Sequence, residues 1–160
     1  MNYPMLQNHL YIALFLAIAS FVGCAGSDQE KAYPTSGVVH FNGKPMKGGG
    51  AISFVPVSSQ QGKAAGGEIR DDGTFVMTTY EDGDGSIPGE FRVLVMQSTS
   101  KEPEMVASDE GSEPVMSSGP IDTVAKGERI PFIYADPAKS PITVEVKAQD
   151  KNELTIDLKR

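Results

Sequence analysis

ITVEVKAQDKNELTIDL, residues 142–158, decides the fold. Ile142, Val144 and Val146 alternate with Thr143, Glu145 and Lys147, and Leu154, Ile156 and Leu158 alternate with Thr155, Asp157 and Lys159. A period of two puts each apolar set on one face of a strand, whereas a helix repeats every three to four residues. QDKN, residues 149–152, supplies a polar turn between the two strands. Working back along the chain, EFRVLVM (residues 90–96) sets Phe91, Val93 and Val95 against Arg92, Leu94 and Met96. SGVVHFN (36–42) places Val39 and Phe41 inward and Val38 and His40 outward, then enters Asn42-Gly43, which suits the positive φ values of a tight turn.

Turn chemistry punctuates the rest. Residues 47–50 form a glycine-rich turn before the strand AISFVPV (51–57), which ends or lies at an edge at Pro56, a residue without an N–H to donate. Asp71-Asp72-Gly73 closes a hairpin between strands at 67–70 and 74–80. About seven short strands, most of them joined by such turns and without an amphipathic helix, predict an all-β, seven-stranded Greek-key sandwich over residues 36–160. Residues 98–129 break the rhythm with seven acids against three bases and few apolar side chains, so a polar, mobile insertion is expected there.

Composition bounds the function. The chain of 160 residues carries 14 Lys and Arg against 21 Asp and Glu, a net charge of -7, and its basic residues do not cluster. A nucleic-acid partner needs a basic stripe and is not expected. One cysteine allows neither an internal disulfide nor a Cys/His zinc array. With 39% hydrophobic residues the chain has enough apolar content for a single core.

All of the Lys and Arg lie at or after Lys31, and LYIALFLAIASFV (10–22) is uncharged. That run is shorter than the roughly 20 residues a membrane-spanning helix needs, yet it suits the apolar centre of a signal peptide. Cys24, the single cysteine, follows at once in Phe21-Val22-Gly23-Cys24-Ala25, which resembles the bacterial lipobox, although Phe21 stands where leucine is usual. This reading makes residues 1–23 a lipoprotein signal peptide, Cys24 the acylated first residue of the mature chain and residues 24–35 a polar tether. Acyl chains on Cys24 would hold the protein on a membrane, at about 0.8 kcal/mol per buried CH₂. The alternative is simple secretion, with cleavage near Ala17-Ile18-Ala19 and Cys24 incidental.

SGVVHFNGKPMKGGGAISFVP (36–56), GGEIRDDGTFVMTTYEDGDGSIPGEFRVLV (66–95) and IPFIYADPAKSPITVEVKAQDKNELTIDL (130–158) together resemble bacterial carboxypeptidase-regulatory-like lipoproteins. The resemblance implies a transthyretin-like (prealbumin-like) sandwich and a non-catalytic module. Its motifs, GxVxFNGKP, DGTFxxxTY and PGEFxVxV, are turn and strand signatures, with Phe75 and Phe91 packing inward.

Catalytic constellations are missing. His9 leaves with the signal peptide, and His40 sits on the outward face of its strand. No GxSxG elbow, HExxH helix or GxxxxGK[ST] loop occurs. Adjacent acids at Asp71-Asp72 and Asp109-Glu110 point apart and do not form a glycosidase pair. The acidic loop Glu81-Asp82-Gly83-Asp84-Gly85 is the one metal-like feature, with Glu81, Asp82 and Asp84 as weak calcium candidates that lack EF-hand spacing. No cofactor and no catalytic residue is expected. The reading that follows is a lipid-anchored envelope module acting through edges and loops on a protein or polymer; the alternative is a secreted small-ligand or calcium-binding carrier.

Overall fold

The computed structural model describes residues 29–57, 62–101 and 120–160. The described strands are β1 (Thr35–Phe41), β2 (Lys44–Pro45), β3 (Gly50–Pro56), β4 (Ala65–Ile69), β5 (Thr74–Val76), β6 (Gly89–Gln97), β7 (Ser100–Lys101), β8 (Ile121–Asp122), β9 (Thr143–Val146) and β10 (Asn152–Leu158). Short 3₁₀ turns occupy Lys126–Glu128 and Phe132–Ala135. The fold is all-β, as expected, and no helix among the described residues is long and apolar enough to cross a membrane. One curled, largely antiparallel sheet runs β10-β1-β5-β4-β3-β6-β9, with β2 hooked onto β1, while β7 and β8 form a separate ribbon. Among the described strands only the β1–β10 pairing is parallel.

Local chemistry explains the turns. Asn42 (φ 51°) and Gly43 (φ 77°) both take the left-handed conformation that a type I′ hairpin needs. In the next tight turn the Asp72 carboxylate accepts the Thr74 N–H at 2.9 Å and the Thr74 hydroxyl at 2.6 Å. These bonds, the hydroxyl's first, hold the Asp72 carboxyl below its ordinary value.

Alternation then builds the core. Phe91, Val93 and Val95 of β6 are buried with Phe54 of β3, Phe75 of β5 and Val39 of β1. The Phe54 ring meets Phe75 edge-on, with centroids 6.3 Å apart, and stacks on Phe91 at 6.0 Å. Full burial of side chains of this size contributes about 1.5–3 kcal/mol each. Gly37 leaves room for this packing, because a Cβ there would overlap the Leu154 carbonyl oxygen and press on the Phe75 ring.

Four features depart from the sequence expectation. First, the strands on either side of the 149–152 turn are not neighbours: β9 pairs with β6 and β10 pairs with β1, at opposite ends of the strand order. The Asn152 side chain clamps the Lys147 N–H and C=O while its own N–H goes to Pro34 O, so the link crosses between edges. Second, the strand expected over 74–80 stops at Val76. Met77 donates its N–H to Thr35 O and is buried, and Thr78 bridges back to Gly66.

Third, strand pairing begins ahead of residue 36. Tyr33 bridges Ser86, and Thr35, 2% exposed, already belongs to β1, so the end of the expected 24–35 tether is docked. Fourth, both described ends of the expected 98–129 insertion are structured. β7 pairs β8, Val124 is buried, Arg129 pairs Asp122 at 2.9 Å and Lys47 pairs Glu128 at 2.7 Å. Residues 102–119 lie outside the described residues.

Candidate functional site

The acidic loop is built for shape. Asp84 accepts N–H groups from Thr79 at 2.7 Å, Tyr80 at 3.0 Å and Glu81 at 3.2 Å, which engages both of its carboxylate oxygens. Partial burial works to raise its pKa, but these main-chain donors prevail and hold the carboxyl below its ordinary value. Glu81 and Asp82 remain exposed at the loop tip. Among the described residues no group of three His, Cys, Asp or Glu side chains is arranged to hold a metal ion. The loop instead braces the docked strap. Gly85 (φ 101°) passes so close to Tyr33 that a Cβ would overlap the Tyr33 carbonyl oxygen.

Other singled-out residues separate in space. His40 is half-buried on the outward face of β1, with Nδ1 3.4 Å from Asp157 Oδ1 on its register partner in β10. Asp71 lies 4.0 Å from Lys101, and Asp72 is committed to Thr74. Cys24, His9, Asp109 and Glu110 lie outside the described residues.

Sequence reasoning named edges in general; the geometry shows where they open. In an antiparallel ladder successive residues direct their main-chain groups to opposite sides. The Val93 N–H reaches Ile142 O at 2.9 Å, so Ile142, Val144 and Val146 face β6 while Thr143 and Glu145 face away. Lys147 would extend that edge, but Asn152 occupies its N–H and C=O, both at 3.0 Å.

The β10 edge is longer. Asn152 N–H reaches Pro34 O at 2.8 Å and Asn42 N–H reaches Leu158 O at 2.9 Å, which turns the even-numbered residues toward β1. Glu153, Thr155 and Asp157 therefore direct N–H and C=O outward, and neither group of any of them has a partner across that edge among the described residues. Side chains close both ends of this opening. Gln149 Nε2 donates to Lys151 O at 2.8 Å, and the Tyr134 hydroxyl both accepts from Lys159 N–H and donates to Lys159 O. A cavity of about 450 Å³ opens beside it, lined in part by Ser36, Val38, Thr74, Val76, Glu153 and Thr155.

A second surface feature lies on β6 beyond the end of β9. There residues 130–140 cover the strand, with Ile130 N–H on Gln97 Oε1 and Ser140 Oγ on Val93 O. Phe132, 81% exposed, and Met96, 63% exposed, flank a cavity of about 220 Å³. The sequence carries one signal for it, an aromatic residue directly after Pro131, where no alternation places it inward.

No family model matches this chain, and neither a curated protein nor a solved structure matches it.

Proposed function

We propose that this protein is a non-catalytic, lipid-anchored module of a bacterial cell envelope that recognises a protein or polymer partner through the edge of its sheet. The observation that carries this reading is the β10 edge: three residues with outward main-chain groups, bounded at one end by Gln149 and at the other by Tyr134. Proteins blunt exposed edges because unpaired strands recruit other chains. Here the ends are closed and the middle is open, which suits addition of a short partner strand.

The curled seven-strand path β10-β1-β5-β4-β3-β6-β9 supports a transthyretin-like sandwich. The resemblance to carboxypeptidase-regulatory-like lipoproteins belongs to the same proposal. Acylation of Cys24 would anchor the domain, and the stretch from Cys24 to Tyr33 reaches at most roughly 30 Å when extended. The strap at Tyr33 and the loop beneath it would then sit within that distance of the membrane.

Intact mass and membrane fractionation of the native protein and of Cys24→Ala test the anchoring. The native chain is expected to carry acyl mass at Cys24 and to sediment with membranes, and the variant to be soluble. If both forms are soluble and cleaved near Ala19, the protein is a freely secreted module and the anchor is excluded.

A further inference from the structure

Resting on the edge-reading function above, we infer that the occupant of the β10 edge is an extended segment of another protein, carrying basic side chains at positions i and i+4. Glu153, Thr155 and Asp157 turn their main-chain groups to the edge, and their exposed side chains share the outer face of the sheet. A strand pairing antiparallel with all three turns the main-chain groups of its own residues i, i+2 and i+4 to the edge and places their side chains on that same face. The carboxylates of Glu153 and Asp157, 71% and 61% exposed, then meet residues i and i+4. Their present partners are Lys151, 2.5 Å from Glu153, and His40, 3.4 Å from Asp157. Exposed pairs of this kind exchange at little cost.

Charge also argues against a second copy of this chain. The antiparallel register that uses all three open residues sets Thr155 against its own counterpart and Glu153 against Asp157 of the second copy. Like charges directly opposite each other destabilise such a pair. Just outside the opening the same register brings Lys151 against Lys159 of the second copy. An acidic edge that repels itself and is closed at both ends accepts a short basic strand.

The test uses the full-length protein in detergent micelles and a fluorescein-labelled Lys-Val-Thr-Val-Lys peptide, followed by fluorescence anisotropy at low and high salt. Saturable binding that weakens with salt is expected. Methylating the peptide's threonine nitrogen removes the central N–H donor, and the double variant Glu153→Lys, Asp157→Lys reverses the edge charge. Each is expected to weaken binding by roughly tenfold or more, with the melting temperature of the double variant confirming that it is folded.

Binding that ignores N-methylation would be charge attraction without strand pairing and overturns the inference. Binding that survives the β10 changes but is lost in Glu145→Lys keeps edge recognition and moves it to β9. Absence of saturation up to about 1 mM peptide overturns the basic-strand assignment. A wild-type dimer in sedimentation that Thr155→Pro dissolves would seat a second copy on the edge and overturn the assignment of a different protein.

Discussion

The Tyr134 hydroxyl closes the end of β10 by bonding both main-chain groups of Lys159, each at 2.9 Å. The ring reaches that point from a 3₁₀ turn packed beside β6, so one buried side chain joins two strands that are distant in the sheet order.

Tyr134→Phe keeps the ring and removes both bonds. Losing a pair of hydrogen bonds at a partly buried site is expected to cost about 1–2 kcal/mol. Urea unfolding of wild type and variant measures it, and an unchanged midpoint would show that water replaces the hydroxyl without loss.

Asn152 is buried at the start of β10 and clamps both main-chain groups of Lys147. Asn152→Ala leaves the Lys147 N–H without its partner and the Lys147 C=O with the Gln149 N–H alone, at an expected cost of about 1–3 kcal/mol. Hydrogen exchange should report faster exchange at the Lys147 amide than in wild type. Equal protection in the two proteins would refute the clamp.

Asp84 links stability to pH. Its folded pKa is depressed, so its contribution is fully present above the unfolded value of about 3.9 and is lost as pH falls through the lower folded value. Asp84→Asn is therefore expected to flatten the fall in the urea midpoint on acidification below about pH 4. Asp72 and Asp136 are shifted in the same direction, so part of the slope remains. A slope identical to wild type would show that the loop bonds are equally good to a neutral side chain.

Two phenylalanines separate core from surface. Phe54 is fully buried between Phe75 and Phe91, and Phe54→Ala is expected to cost about 3–5 kcal/mol through lost burial and a residual cavity. Phe132 projects into solvent, and Phe132→Ala should stay within about 0.5 kcal/mol of wild type. Thermal melts of both variants check the contrast; a large loss for Phe132→Ala would mean that its ring is covered in solution.

Faces were legible in the sequence because side chains alternate strictly along a strand. Val39, Phe41, Phe91, Val93, Val95, Val146, Ile156 and Leu158 are all buried where the alternation places them. Asn42-Gly43 and Gly73 were legible as turns for a similarly local reason, a backbone conformation that few residues adopt. The acidity of residues 81–85 was visible too, but not the use of Asp84 as a main-chain acceptor, which depends on the loop folding back over Thr79 and Tyr80. Tyr134 had no periodic signal, since its turn is a single 3₁₀ segment whose partner lies at the far end of β10.

By itself, then, the sequence determined the all-β class, the inward face of the main strands and the position of the tight turns, because each depends on neighbours a few residues away. Tertiary structure alone decided that β9 joins β6 and β10 joins β1, and with that which main-chain groups stay open at Glu153, Thr155 and Asp157. Alternation tells a strand which way is inward, but its partner is chosen by long-range packing in which each edge must find a match or be closed.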